Sequence, residues 1–194
     1  MADFISSVLI SFVTIFVIMD PFPSLIPFFE YTKKCTDNDR RICATKAVFI
    51  AGIVAVLFML LGPALLGVMH LQISDLKIAG GIVLVLLGVE TVLGITFGTH
   101  NKKSDINDVA ILIATPLLTG PGLVSTLVIL AADNGFPVTV AALVLALLVS
   151  WFVLVGANTI KKLAGDQFIH VLAKIIGLLL LALGVAYIRT GLLG

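Results

Sequence analysis

Three stretches of this chain, residues 47–69, 109–132 and 136–160, contain no charged side chain. Each is long enough to cross the ~30 Å hydrocarbon layer of a bilayer as a helix rising 1.5 Å per residue. Three more apolar stretches carry one ionisable residue each: Asp20 within 4–29, Glu90 within 78–97 and Lys174 within 171–188. With 60% hydrophobic and 12% charged residues and a mean hydropathy of +1.21, the composition lies outside that of soluble domains. The pattern predicts an all-α membrane protein with six transmembrane spans.

Two of those spans are interrupted. MDPFPSLI at 19–26 and LTGPGLVS at 118–125 set helix-breaking Pro and Gly inside apolar sequence. At membrane depth a broken helix survives only where protein or a water-lined cavity satisfies the freed N–H and C=O groups. The break in the fourth span falls ~16 Å along a helix starting near Val109, close to the bilayer midplane. The first break sits deeper, ~24 Å from Phe4.

The net charge of +1 offers no argument for a nucleic-acid partner. The placement of the charges is informative. Lys33, Lys34, Arg40, Arg41 and Lys46 follow the first span, Lys102 and Lys103 the third, and Lys161 and Lys162 the fifth, nine of the twelve basic residues. Lys77 and Arg189 fall on the opposite side, and Lys174 can snorkel to the basic face. The positive-inside rule predicts a multi-pass cell-membrane protein with those three loops in the cytoplasm and both termini outside. No cleaved leader is expected, so the first span stays.

The two breaks align at an offset of 100, Pro21 with Pro121, Phe22 with Gly122 and Ser24 with Val124. GIVLVLLGV from Gly81 aligns with GLLLLALGV from Gly177 at an offset of 96, matching Gly81 with Gly177 and Gly88 with Gly184. Each half then holds three spans, 1–97 and 109–194, joined by a cytoplasmic linker at 98–108. An odd number of crossings inverts the second half, so the expected architecture is two inverted three-span repeats with broken first and fourth helices, as in secondary transporters. The glycines at 81, 88, 177, 184 and 191 recur every seven residues and read as close helix packing rather than as a ligand site.

A helix break exposes free N–H groups at a new N-terminus and free carbonyls at a new C-terminus, which suit a carboxylate and an ammonium. Asp20 before Pro21 resembles an N-cap of a half-helix running through Phe22, Pro23 and Ser24. Gly120-Pro121-Gly122 opens a second half-helix bearing the hydroxyls of Ser125 and Thr126, with Thr119 just before it, and glycine there lets a ligand reach bare backbone. The candidate substrate-binding residues are therefore Asp20, Pro21, Phe22, Pro23, Ser24, Thr119, Gly120, Pro121, Gly122, Ser125 and Thr126. They include no Lys or Arg, which favours a small, overall neutral solute. Asp20 and Glu90 are the candidate proton carriers, and a capping role for Asp20 or a structural one for Glu90 stays open. His70, His100 and His170 lack partners at metal-ligand spacing, Cys35 and Cys43 do not fit a zinc spacing, and no enzyme motif is present. No metal, cofactor or catalysis is expected.

ATPLLTGPGLVSTLV at 114–128 resembles the central motif of the MarC family, RRICATKAV at 40–48 its basic loop into the second span, and LKIAGGIVLVLLGVE at 76–90 its third-span signature. In the segment around the first break, MDPFPSLI at 19–26, Pro23 stands where the family more often has a small residue. The resemblance covers nearly the whole chain. It implies six spans and transport of small neutral amino acids, glycine, alanine, serine or threonine, with proton coupling and a homo-oligomer left open. Membrane lipid is the other expected partner. The alternatives are a channel for small solutes, or a membrane protein without transport activity whose helix breaks are structural.

Overall fold

A computed structural model describes residues 2–32, 35–94 and 118–193. These form seven helices and no strand: α1 Ala2–Met19, α2 Pro21–Thr32, α3 Asp37–Val68, α4 Ile73–Leu93, α5 Pro121–Asn134, α6 Phe136–Val155 and α7 Ala157–Leu192. Four stretches are long and apolar enough to cross a membrane, namely α3, α4, α6 and the Gln167–Leu192 portion of α7, while α1 and α5 are shorter apolar helices. The expected linker at 98–108 and both repeat boundaries lie outside the described residues, as do Lys33, Lys34, His100, Lys102 and Lys103.

Local chemistry sets the helix ends. Thr36 caps α3: its hydroxyl oxygen accepts from the Asp39 N–H at 3.2 Å, and the Asp39 carboxylate accepts from the Thr36 N–H at 3.3 Å. This reciprocal capping box, with Asp37 and Asp39 at the positive end of the dipole, starts α3 ten residues ahead of its apolar run. Gly94 ends α4 earlier than hydropathy alone indicates, because its left-handed φ of 68° turns the chain out of the helix. α6 ends at Val155, inside the apolar run at 136–160, with Gly156 as its C-cap in an ordinary right-handed conformation (φ −76°).

Within α7, Gly165 has φ 77° and ψ 165°, a non-helical joint just before the apolar stretch begins. A Cβ there would meet nothing within 4 Å, so only its backbone conformation demands glycine. Gly165→Ala is expected to destabilise the protein by ~1–2 kcal/mol, read as a lower midpoint in a thermal melt of the purified protein.

The bundle is apolar outside and carries hydroxyls inside. Ile10, Phe49, Leu57, Leu86, Phe152 and Val185 are exposed, whereas Ser11, Ser24, Thr126, Thr139 and Ser150 are buried. Apolar side chains of this density on the exterior suit a lipid solvent, and polar ones turned inward avoid it. On α3 the buried face is a row of small residues, Ala44, Ala47, Ala51 and Ala55, continued by Gly62, which meets Val128 of α5.

The glycine stripes of α4 and α7 do pack on each other. A Cβ at Gly81 would lie 2.6 Å from the Gly184 carbonyl oxygen, and one at Gly88 2.8 Å from that of Gly177. A Cβ at Gly191 would lie 2.8 Å from the Ser74 carbonyl oxygen. Since residue numbers rise along α4 as they fall along α7, the two helices are antiparallel, and their backbones touch along the seam.

Candidate functional site

The first interruption is a real break between helices, and the second is the start of a helix, the residues before Leu118 lying outside the described ones. At the first, Asp20 adopts φ 43°, a left-handed conformation that Asp tolerates better than most residues. Its N–H still donates to the Phe16 carbonyl at 3.2 Å, closing α1. Pro21 then opens α2, where its missing N–H leaves no donor unsatisfied. Ser24 donates its hydroxyl to the Asp20 carbonyl at 3.1 Å, bridging the break. Phe22 is half-buried and meets Phe16 edge to face, with ring centroids 6.1 Å apart, and Pro23 falls within the first turn of α2.

Asp20 is 8% exposed, and its Oδ1 has no hydrogen-bond partner. An unpaired carboxylate oxygen inside the protein is unfavourable by at least ~1–3 kcal/mol. This oxygen therefore does not cap α2, and it is available to a ligand, a water or a proton.

At the second break Gly120 is the N-cap, and its carbonyl accepts from the N–H groups of Leu123 and Val124 at 3.0 and 3.2 Å. Pro121 opens α5, and Thr119 is buried. Gly122 and Ser125 turn toward α4. A Cβ at Gly122 would lie 2.7 Å from Leu84 Cδ2, and Ser125 Cβ sits 2.7 Å from where a Cβ of Gly80 would be. Thr126 is fully buried beside the Tyr187 hydroxyl of α7, and its own hydroxyl makes no hydrogen bond of good geometry. Glu90 is half-buried on the last turn of α4, far from either break along the sequence.

The register of α1 against α5 relates the two breaks. Asn134 donates to the Ser11 hydroxyl at 3.2 Å, and Thr14 lines a cavity with Ile129 and Leu130, so the helices run antiparallel. Six residues on from Thr14, ~9 Å of helix, that register brings Asp20 level with Leu123 and Val124.

Two polar clusters escaped the sequence reading. At one end of the bundle Arg40 donates Nε and Nη2 to the Thr32 carbonyl at 3.1 and 3.0 Å, and Nη1 to Asn158 Oδ1 at 2.9 Å. Asn158 in turn donates to Asp37 at 2.9 Å. This ties the last turn of α2 to the first turns of α3 and α7, and Trp151 donates to Thr45 nearby at 3.0 Å under the Arg41 guanidinium. At the other end Lys77 of α4 pairs with Asp133 of α5 at 3.2 Å. Arg40 appears in sequence only as one of a basic run, and no local signal couples it to Asn158, or Lys77 to Asp133. Among the described residues no group of His, Cys, Asp and Glu could hold a metal ion.

Comparison with known proteins agrees with this architecture. The family described as MarC family integral membrane protein matches over residues 5–194. A UPF0056 membrane protein of Buchnera aphidicola subsp. Schizaphis graminum is 28% identical over 182 residues, 93% of each chain. One of Methanocaldococcus jannaschii is 29% identical over 196 residues, 96% of each chain. The UPF0056 inner membrane protein YhgN of Escherichia coli is 26% identical over 185 residues, again 93% of each. No solved structure matches the chain. An exterior of apolar helices, four of them long enough to span a membrane, and a match across nearly its whole length make this chain a multi-pass member of the MarC family of integral membrane proteins.

Proposed function

We propose that this protein is a secondary transporter of small neutral amino acids, the glycine, alanine, serine and threonine class, and not an enzyme. It works by alternating access around the two broken helices. The observation that carries the reading is the paired helix starts: α2 begins at Pro21 and α5 at Pro121, with the unpaired Asp20 Oδ1 at one and the unsatisfied, buried Thr126 hydroxyl at the other. Free helix ends and hydroxyls, with no basic side chain among them, match a molecule whose two charges cancel.

The inverted repeat belongs to this proposal. At an offset of 96, Gly81 corresponds to Gly177 and Gly184 to Gly88, so the Gly81–Gly184 contact exchanges with the Gly88–Gly177 contact. A twofold axis in the membrane plane between α4 and α7 would have that effect. The basic residues fit six spans with both termini outside, because Arg40 and Arg41 lie at the opposite end from Lys77 and Arg189. Asp20 is the proton carrier in this reading and Glu90 the reserve.

Uptake of labelled glycine and alanine into proteoliposomes, with and without a pH gradient, tests the proposal. Saturable uptake with trans-stimulated exchange is expected. Flux without exchange would make the protein a channel, and no flux of any of the four amino acids would leave the breaks structural. Asp20→Asn is expected to flatten the pH dependence of flux while leaving the yield of folded protein within about twofold. An unaltered pH profile would remove Asp20 from coupling.

A further inference from the structure

Lys77 and Asp133 are the opposed charges of a cavity that neither break explains. Two adjoining hollows of about 440 and 250 Å³ share Lys77, Asp133 and Thr190. The first opens past Gln72 and Ser74, and the second runs along Thr14 and Tyr187. Tyr187 reaches the buried Thr126, so the smaller hollow leads from the ion pair toward the second helix break.

The pair is loose. Lys77 Nζ lies 3.2 and 3.4 Å from the two Asp133 oxygens, against ~2.7–2.9 Å for a tight charge-assisted bond. The ammonium has three donors and the carboxylate about four acceptor positions, so both keep bonding capacity directed at the cavity. The side chains are unequally open to it, Lys77 at 21% and Asp133 at 48% exposure. A simple anion entering here is repelled by Asp133 and a simple cation by Lys77. A molecule with an ammonium and a carboxylate on one carbon meets both partners, inserting its carboxylate at Lys77 and its ammonium at Asp133.

The geometry points to a vestibular binding site for a small zwitterion at Lys77 and Asp133, occupied before the ligand passes Tyr187 to the helix breaks. It rests on the transport reading and adds a second station to it. Because the pair joins α4 to α5, a bound zwitterion also replaces the direct link between those helices.

Equilibrium binding of labelled glycine to the purified protein in lipid nanodiscs, competed with alanine, acetate or ethylamine, tests it. In the wild type, alanine should compete at least a hundredfold better than acetate or ethylamine. Lys77→Met and Asp133→Asn should each weaken glycine at least tenfold, and each should shift selectivity in its own direction. Ethylamine becomes a competitor when only Asp133 remains, and acetate when only Lys77 remains. A purely structural ion pair would not move that selectivity. Glycine affinity within twofold of wild type in both folded variants overturns the site while leaving the transport reading intact. A wild type that binds none of the four amino acids overturns both. Should a neutral variant fail to fold, the wild-type competition decides, since acetate or ethylamine displacing glycine as well as alanine does would also overturn the site.

Discussion

Gly184→Leu is expected to prevent α4 and α7 from docking and to leave little monodisperse protein. A Cβ at Gly184 would already sit 2.7 Å from the Gly81 carbonyl oxygen and 2.8 Å from the Val85 nitrogen. These are backbone atoms of a packed helix and cannot rotate aside as a side-chain tip can. Inserting even one methylene into a well-packed interior typically destabilises by ~1–3 kcal/mol. An isobutyl group must instead force the helices apart along a seam that runs from Gly81 against Gly184 to Gly88 against Gly177. The matched control is Gly67→Ala, where a Cβ would meet nothing within 4 Å and the residue lies inside α3. That change should be neutral or stabilise by up to ~1 kcal/mol through helix propensity. Size-exclusion profiles and thermal melts of the two variants, side by side, separate seam packing from a general intolerance of larger residues.

Arg40→Ala should have the second-largest effect, ~2 kcal/mol of destabilisation, together with loosening of the end of the bundle where α2, α3 and α7 meet. The substitution strips two donors from the Thr32 carbonyl and one from Asn158. The last turn of α2 then loses the cation at its negative dipole end. Arg40→Lys should restore less than half of the loss, because a single ammonium cannot reproduce a fork that holds a carbonyl and an amide at once. Cys43, buried three residues further along α3, provides the readout. In a Cys35→Ser background, maleimide labelling of Cys43 should accelerate several-fold in the alanine variant. Labelling at the wild-type rate would show that the Arg40 cluster does not hold this end closed.

The break at Asp20 and the helix start at Pro121 were legible because proline and glycine act on their own backbone. Pro21 and Pro121 begin helices wherever the chain lies in space, and Asp20 before one of them is a local pattern. The seven-residue glycine stripe was legible for a related reason, since its period alone places small residues on one face of a helix. Hydropathy misjudged some helix ends. It is blind to the Thr36–Asp39 capping box that starts α3 early and to the glycine that stops α4 within its apolar run.

The site divided in the same way. That hydroxyls and one acid cluster at the breaks was readable, but which of them stay without a hydrogen-bond partner inside the protein was not. Gly122 and Ser125 pack against α4, whereas Asp20 Oδ1 and the Thr126 hydroxyl remain unsatisfied. That distinction depends on how α4 and α7 dock on α5, which no local pattern encodes.

From its sequence alone, then, this protein had to be a bundle of membrane helices with new helices starting at Pro21 and Pro121, because a lipid solvent forces each segment to satisfy its own backbone and so writes the helices locally. Tertiary structure decided the pairing of Lys77 with Asp133 and of Arg40 with Asn158. Those partners lie far apart in the chain and on different helices. Only helix docking brings them together, and in lipid that docking is set by the close fit of small residues along seams such as Gly81 on Gly184.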